Sequence, residues 1–261
     1  MNISNRPVAL VTGASSGIGA ALAREFARHG HDLVLSARSL APLETLAEEV
    51  RGLGAAATVI AADLAAPSGA TTLVGELAAR GIEVEVLVNN AGLGAFGRFD
   101  GIDPARNGEM LQVNIVALTE LTRALLPAMV ARGRGKIVLV ASTASFLPCP
   151  YFAVYAATKA YVRSFGEALA QELRGSDVTV NVLCPGATAT NFFDVAGNAP
   201  NTLQSGRMMS ADAVARIGYA GMIRGERVTV TGMINRILTF AATHTPHWLM
   251  LPAMARMTAR N

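Results

Sequence analysis

The sequence predicts an α/β protein built on one doubly wound, parallel, seven-stranded sheet of the Rossmann type. Strand-like and helix-like segments alternate along the chain, which is typical of βαβ units with right-handed crossovers. Most strand candidates are nearly continuous apolar runs, as expected where helices cover both faces of a sheet. No linker, low-complexity segment or internal repeat interrupts the 261 residues, so residues 1–261 are predicted to form a single domain.

The strand candidates are short apolar runs rich in valine, isoleucine and leucine. They cover residues 8–11, 33–35, 57–60, 84–88, 136–140, 178–183 and 228–230. Helical patterns fill the intervals and cover residues 18–28, 42–50, 70–80, 109–132, 152–173 and 211–224. The apolar segment after residue 232 is predicted to form a pair of short helices.

The composition excludes several classes of protein. Hydrophobic residues make up 51% of the chain and charged residues 16%, so the chain is not disordered. The net charge of +3 is scattered, which argues against a nucleic-acid surface. Two cysteines and an isolated His244-x-x-His247 pair do not form a metal site, and no metal is expected. The polar N-terminus is unlike a signal peptide, and the expected location is cytoplasmic.

The C-terminal segment contains no Asp, Glu, Lys or Arg between Ile237 and Ala255, about the length of a membrane span. Pro246 and Pro252 interrupt it, which favours two short helices over a transmembrane helix. Contact of this tail with a membrane surface stays open as an alternative.

A glycine-rich turn follows the first strand and opens the first helix. Glycines let a turn close tightly and let backbone amides approach a pyrophosphate, and a helix N-terminus adds donors and a favourable dipole. The strand–turn–helix context predicts a dinucleotide phosphate site, although a purely structural turn is the alternative. Its predicted members are Gly13, Ser15, Ser16, Gly17, Ile18 and Gly19.

The second strand ends in Ser36-Ala37-Arg38. An acidic residue at this point would hydrogen-bond the ribose 2′-hydroxyl of NAD, whereas Arg38 can pair with a 2′-phosphate and stack on adenine. NADP(H) is therefore favoured over NAD(H), with a solvated loop arginine as the alternative.

Tyr155 and Lys159 are four residues apart in a predicted helix, so they share one helix face. A free tyrosine has a pKa of roughly 10, and a neighbouring cation favours the phenolate. The pair is thus a candidate general acid/base for a carbonyl or an alcohol.

Between residues 8 and 190 the chain resembles the short-chain dehydrogenase/reductase family in its compact, non-extended form. The motifs that carry the resemblance occur in the family's order. They are the glycine turn, Asp63 after the third strand, Asn89-Asn90-Ala91-Gly92 after the fourth, Asn114, Ser142, Tyr155-x-x-x-Lys159 and Pro185-Gly186 after the sixth.

The resemblance implies an oxidoreductase that transfers a hydride between NADP(H) and a carbonyl or secondary alcohol. Tyr155 would exchange the proton with the substrate oxygen, while Lys159 would lower the Tyr155 pKa and bind the nicotinamide ribose. Ser142 would position the substrate oxygen. Asn114 would support a proton relay through a water at its backbone. A helix cap is the alternative for Asn114, and a strand-end turn for Ser142.

The same resemblance places further residues around the cofactor. Asp63 and Leu64 would flank the adenine. Asn90, Ala91 and Gly92 would line the adenosine ribose. Pro185, Gly186 and Thr188 would cover the nicotinamide, with Thr190 near its carboxamide. An N-cap is the alternative for Asp63 and a simple turn for Pro185-Gly186, while Asn89 is expected to be structural and to tie neighbouring strands together.

Substrate choice is expected to depend on segments with few motifs. They are residues 146–152, a predicted lid at 191–209 and the apolar extension at 233–261, which together suggest a bulky or apolar carbonyl substrate. Packing within the domain or a subunit interface is the alternative. A homodimer or homotetramer through the helices of Asn114 and Tyr155 is expected. A non-catalytic NADP(H)-binding regulatory or scaffold protein is the alternative function.

Overall fold

Seven parallel strands form the central sheet of the computed structural model, which describes residues 6–197 and 208–258. The strands are β1 Val8–Thr12, β2 Asp32–Ala37, β3 Ala57–Ala61, β4 Val86–Asn89, β5 Gly135–Val140, β6 Val178–Cys184 and β9 Val228–Val230. They lie in the order β3-β2-β1-β4-β5-β6-β9, so the predicted doubly wound sheet is confirmed.

Helices cover both faces of this sheet. They are α1 Gly17–Arg28, α2 Leu40–Gly52, α3 Gly69–Ala79, α4 Pro104–Leu111, α5 Leu118–Ala131, α6 Ala153–Glu172, α7 Phe192–Val195, α8 Ala211–Ile223, α9 Met233–His244 and α10 His247–Thr258. Short 3₁₀ turns occupy Phe99–Gly101 and Thr143–Phe146. The predicted pair of short C-terminal helices is confirmed.

Two apolar clusters hold the layers together, one on each face of the sheet. Phe26 and Leu22 of α1 lie at the centre of one cluster, and Leu121 and Met129 of α5 lie in the other. All four side chains are fully buried. Each such side chain contributes roughly 1.5–3 kcal/mol when it leaves water, so the sheet is fixed from both sides.

The prediction of one long helix over residues 109–132 is wrong in two respects. The helix begins five residues earlier, at Pro104, where the Asp103 carboxylate accepts a hydrogen bond of 2.9 Å from Ala105 N. This is an N-cap followed by proline, a start signal that the sequence carries. A π-helical turn, Gln112–Ala117, separates α4 from α5 and inserts Asn114 into the protein interior.

The helical stretch Pro104–Ala131 is the one stretch in the described residues that is long and apolar enough to cross a membrane by length and composition alone. A core helix passes the same test, and α5 packs on the sheet and on α3. The stretch is therefore weak evidence for a membrane span.

A two-stranded ribbon was not predicted. It pairs β7 Thr188–Ala189 with β8 Met209–Ser210. Each strand has two residues, too few for a periodic signal. The ribbon joins the two ends of the predicted lid, of which residues 198–207 lie outside the described part of the chain.

Candidate active site

A cleft of about 490 Å³ opens at the carboxyl edge of the sheet. The strand order reverses between β1 and β4, and ligands of doubly wound sheets bind at such a point. Every predicted site residue except Asn114 lines this cleft. The set is Gly13, Ser15, Ser16, Gly17, Ile18, Gly19, Arg38, Asp63, Leu64, Asn90, Ala91, Gly92, Ser142, Tyr155, Lys159, Pro185, Gly186, Thr188 and Thr190.

The glycine turn at the start of α1 has the geometry of an anion site. Ser16 is the N-cap, but its side chain makes no capping hydrogen bond. Helix N-termini leave backbone N–H groups without intrahelical partners, and these suit a phosphate. Gly13 has a φ of +64°, and a Cβ there would lie 2.8 Å from Ala91 Cα. Glycine is therefore required at this position.

Asn90 and Asn89 both hold the end of β4 in place. The Asn90 amide donates to Thr12 O at 2.9 Å and to Gly13 O at 3.1 Å, so it ties β4 to the glycine turn while lining the cleft. Asn89 is structural as expected, but it donates to Thr122 Oγ1 of α5 at 3.0 Å and not to a neighbouring strand. Asn89 thus anchors the sheet to the helix layer, whereas Asn90 links two neighbouring strands.

The end of β2 offers polar groups suited to a phosphorylated ribose. Ser36 Oγ is buried, lines the cleft and has no hydrogen-bond partner among the described residues. Arg38 is exposed at the rim and forms no ion pair within that part of the chain. After the neighbouring strand β3, the Asp63 carboxylate also lines the cleft and accepts from Ala65 N at 3.0 Å. Ser36 was missed because a serine in an apolar strand gives no motif signal.

Ser142 follows β5 and begins the 3₁₀ turn that leads to the cleft. Its Oγ accepts a hydrogen bond of 3.1 Å from Ala144 N, which fixes the side-chain rotamer. Burial raises the pKa of Tyr155, and the interaction of its phenol with the Ser142 hydroxyl offsets part of that rise. Ser142 and Tyr155 can therefore bind the same oxygen atom of a ligand.

Lys159 lies behind Tyr155 on the same face of α6, as predicted from the spacing. Its Nζ donates to Val140 O at 2.8 Å and lies 5.8 Å from the centre of the Tyr155 ring. Burial lowers the pKa of Lys159 to about 8. Only 4% of the residue is exposed, so its ammonium group is largely desolvated.

The phenol of Tyr155 departs from the sequence-based expectation. Burial raises the pKa of Tyr155 to about 12, and the hydrogen bond from Ser142 offsets only part of that rise. The expected lowering by Lys159 is therefore not found: desolvation of the phenolate sets the direction of the shift, and Lys159 is not among the groups that offset it. The phenol is therefore protonated at neutral pH, which is the form a proton donor needs, but burial by itself makes it a weaker acid than a free tyrosine.

Comparison with known proteins fits this arrangement. The family model described as short chain dehydrogenase matches residues 7–200. The chain belongs to the short-chain dehydrogenase family. It is accordingly an oxidoreductase, in agreement with the resemblance found in its sequence.

Three solved structures of similar proteins share the fold over nearly the whole chain. A short-chain dehydrogenase from Sphingobium yanoikuyae in complex with NADPH is 33% identical, with a TM-score of 0.81 and coverage of 98% of this chain and 96% of the other. A bulky-bulky ketone specific alcohol dehydrogenase from Comamonas testosteroni is 30% identical, with a TM-score of 0.77 and coverage of 97% and 93%. A Burkholderia phymatum family member in complex with NAD is 26% identical, with a TM-score of 0.81 and coverage of 92% and 94%.

The side chain of Asn114 points away from the cleft of this short-chain dehydrogenase, and the relay expected through its backbone stays a prediction. It is fully buried, and its Oδ1 accepts from Leu93 N at 2.8 Å while its Nδ2 donates to Leu93 O at 2.9 Å. The same amide donates to Thr158 Oγ1 at 2.9 Å. The side chain therefore holds the loop after β4 against α6.

Aromatic side chains form one wall of the cleft next to the Tyr155 ring. The ring of Phe152 lies 5.7 Å from that of Tyr155, and the ring of Phe192 lies 5.2 Å from it. Phe96 packs on Phe152 at 4.9 Å. The sequence places Phe152 and Phe192 in segments with few motifs but does not show that they meet at Tyr155, because they come from separate loops.

Gly94 makes room for this wall. A Cβ at Gly94 would lie 2.6 Å from Phe192 Cζ, so the phenyl ring rests directly on the backbone. Arg106 of α4 holds the same loop by donating to Gly94 O at 3.2 Å, and Phe96 N donates to Ala196 O at 2.9 Å. Helix α7 is thereby fastened over the cleft.

Proposed function

We propose that this protein is an NADP(H)-dependent oxidoreductase that interconverts a carbonyl compound and a secondary alcohol. One observation carries the proposal: Ser142, Tyr155 and Lys159 meet in the same cleft as the glycine turn and Arg38. A cleft that joins an anion site to a paired hydroxyl and phenol fits a dinucleotide with its reacting substrate.

A bound nicotinamide cofactor would supply or accept the hydride. Gly13 and the first turn of α1 would hold the pyrophosphate. Ser36 and Arg38 would hold the adenosine ribose, with Asp63 and Leu64 at the adenine. Lys159 would bind the nicotinamide ribose, and the segment from Pro185 to Thr190 would cover the ring. Thr188 Oγ1 donates to Gly186 O at 2.9 Å, which keeps that segment folded toward the cleft.

Proton transfer is assigned to Tyr155. Its hydroxyl would give a proton to the substrate carbonyl oxygen during reduction and take one back during oxidation. Ser142 would hold the same oxygen by a hydrogen bond and keep it in line with the phenol. Lys159 would stabilise the phenolate left after transfer, since the two groups face each other in a site of low dielectric constant.

The preference for NADP(H) rests on charge at the end of β2. Among the described residues, the part of the cleft around Arg38 presents that guanidinium and no carboxylate from β2 itself. An arginine suits a 2′-phosphate. The relative from Sphingobium yanoikuyae holds NADPH, which supports this choice, whereas the one from Burkholderia phymatum holds NAD.

A bulky or apolar substrate is supported by Phe152 and Phe192, which line the cleft beside Tyr155, and by Phe96, which packs behind Phe152. The similar alcohol dehydrogenase from Comamonas testosteroni is specific for bulky-bulky ketones, which supports the same substrate class. We propose that residues 191–209 act as the lid over this wall and that residues 233–261 form an apolar extension of the domain.

The proposed homodimer or homotetramer uses the outer face of α4, α5 and α6. Leu111, Val116 and Tyr161 are exposed there. Large apolar side chains on neighbouring helices are typical of a subunit interface. The cytoplasmic location stays a prediction.

The decisive test is oxidation of NADPH and of NADH by the purified protein across a series of ketones and aldehydes of increasing size. We expect turnover with NADPH, highest with bulky or apolar ketones. Cofactor binding without turnover of any carbonyl or alcohol would contradict the proposed reaction. Equal rates from short to long substrates would contradict only the proposed substrate class.

A further inference from the structure

Helix α9 has its hydrophobic face turned to solvent. Its inward positions are Asn235, Thr239 and Ala242, whereas the opposite half of the helix is apolar and exposed. The exposed apolar side chains of this face are Met233, Ile234, Ile237, Leu238 and Phe240, each more than half exposed. A helix of a globular protein normally shows the reverse arrangement, with apolar residues inward.

Helix α10 continues the same surface. Trp248 and Leu249 at its start are 76% and 56% exposed. Tryptophan is the residue type most typical of a membrane–water interface, because its ring is apolar and its N–H is polar. We call the exposed apolar side chains of α9 together with Trp248 and Leu249 the C-terminal apolar face.

The C-terminal apolar face lies beside the mouth of the active-site cleft. Ala255 of α10 lines a shallow hollow with Phe99, Pro150 and Tyr151. Tyr151 packs on Phe96 at 6.0 Å, and Phe96 belongs to the aromatic wall next to Tyr155. Helix α9 also packs on the 3₁₀ turn that follows Ser142. The two helices that carry the C-terminal apolar face thus pack next to the part of the cleft that holds Ser142 and Tyr155.

The charge around the C-terminal apolar face distinguishes two candidate partners, a second copy of the chain and a lipid surface. From residue 227 to residue 261 the sequence contains arginines but no Asp or Glu. Arg236 flanks the apolar face of α9 and is exposed. Asp100, at the nearby hollow, is neutralised by an ion pair of 3.0 Å with Arg98. Glu226 lies near Arg236, but it is already paired with Arg224 at 2.8 Å, so the charge left beside the face is positive.

If two copies of the chain met through this face about a two-fold axis, the arginines of one copy would lie near those of the other. Neither segment would supply a carboxylate to pair with them. A layer of anionic phospholipid headgroups supplies both the apolar phase and the opposite charge. Each helix has 12 residues, too short to span a bilayer, so both would lie in the plane of its surface.

We propose that the C-terminal apolar face docks this protein on an anionic phospholipid surface, with the cleft mouth at the lipid. Lipophilic carbonyl compounds dissolved in that layer would then enter the cleft without crossing bulk water. The docking inference is independent of the proposed reaction, because its test needs no turnover.

The chain contains a single tryptophan, and it lies in this face, so its fluorescence reports on the face directly. The full chain is mixed with vesicles of phosphatidylcholine alone or of phosphatidylcholine with phosphatidylglycerol. We expect a blue shift of Trp248 emission and quenching by brominated acyl chains with the anionic vesicles. Binding to neutral vesicles should be weaker by roughly fivefold or more for each arginine engaged, and high salt should reduce the difference.

The double variant Ile237→Ser/Leu238→Ser keeps Trp248 but removes two side chains of the face. We expect co-flotation with anionic vesicles to weaken by about tenfold or more. The matched control is Leu40→Ser/Leu53→Ser, two exposed leucines at the ends of α2, which should bind like the unmodified protein.

Three results would overturn the proposal. One is unchanged Trp248 emission with anionic vesicles. Another is equal binding to neutral and anionic vesicles. The third is protection of Trp248 from acrylamide without lipid, together with a smaller assembly for Ile237→Ser/Leu238→Ser in sedimentation, which would show that a second copy of the chain covers the face.

Discussion

Asn114 and Thr158 are joined by a buried hydrogen bond of 2.9 Å from the side-chain amide to the threonine hydroxyl. Thr158 in turn donates to Tyr155 O at 2.7 Å. A π-helical turn on one element is thereby fixed to the helix that carries Tyr155 and Lys159. We infer that this bond positions the phenol from outside the cleft.

Thr158→Val tests this connection. The variant keeps the shape of the side chain but leaves the Asn114 amide with one partner fewer, which costs about 1–3 kcal/mol of unfolding free energy. We expect kcat to fall about tenfold while the KM for the cofactor changes little. The substitution removes a contact that holds α6, which carries Tyr155, and leaves the phosphate-binding turn unchanged. Thr158→Ser keeps the hydroxyl and should restore kcat. A Thr158→Ser enzyme as slow as Thr158→Val would show that the hydrogen bond does not position Tyr155.

Lys159→Met tests whether the buried ammonium group of Lys159 lowers the free energy of unfolding. The pKa of Lys159 is lowered from 10.5 to about 8, so between these pH values the unfolded chain binds a proton that the folded chain has lost. Relative to the variant, the unmodified protein should therefore gain unfolding free energy as the pH rises across this window, by up to about 3 kcal/mol, whereas the buried thiols of Cys149 and Cys184 affect both proteins alike. The variant should lose this rise along with its activity. Urea unfolding at pH 7 and near pH 9.5 measures the effect, and a parallel pH dependence in both proteins would refute it.

Arg38→Asp tests the origin of cofactor preference. An exposed carboxylate at the end of β2 should repel a 2′-phosphate and accept a hydrogen bond from a ribose hydroxyl. We expect the Kd for NADPH to rise by about tenfold or more and that for NADH to stay within about twofold. Arg216→Asp, at an exposed position on α8, is the control for the change in net charge. Equal weakening of both cofactors by Arg38→Asp would reject the 2′-phosphate role.

Phe192→Ala tests the aromatic wall. Removal of a ring 5.2 Å from the Tyr155 ring enlarges the pocket, so kcat/KM should rise for bulky aryl ketones relative to small ones by about tenfold. Phe240→Ala, at an exposed position on α9 outside the residues that line the cleft, serves as the control. Gly94→Ala should lower activity in the unmodified protein, because its Cβ would lie 2.6 Å from the Phe192 ring, but should cost nothing in the Phe192→Ala background. Additive effects of Gly94→Ala and Phe192→Ala would show that the contact does not shape the pocket.

The fold was predictable because its signals are local. The apolar runs of β1, β4, β5 and β6 and the glycine turn before α1 are each read from a few adjacent residues, and right-handed crossovers leave little freedom in how they assemble. The strand order itself places Gly13, Ser142 and Pro185 at one edge of the sheet. For the same reason nearly all the predicted site residues line one cleft.

The features of the site that the sequence did not predict depend on contacts between distant segments of the chain. Three features arise only when separate segments meet. They are the π-helical turn that buries Asn114, the Ser36 hydroxyl without a hydrogen-bond partner among the described residues, and the contact of the Phe192 ring with the Gly94 backbone. The raised pKa of Tyr155 has the same origin, since burial and not the adjacent lysine sets it. Spacing along a helix shows which groups are neighbours, but it does not show how far they are removed from water.

Proton transfer by Tyr155 is measured most directly by comparing Tyr155→Phe with the unmodified protein in NADPH-dependent reduction of a bulky ketone, alongside the Kd for NADPH. We predict a fall in kcat of at least about a hundredfold with a Kd within about twofold, because the proton donor is lost and the cofactor cleft is kept. Full turnover by Tyr155→Phe would contradict the assignment of Tyr155 as the proton donor.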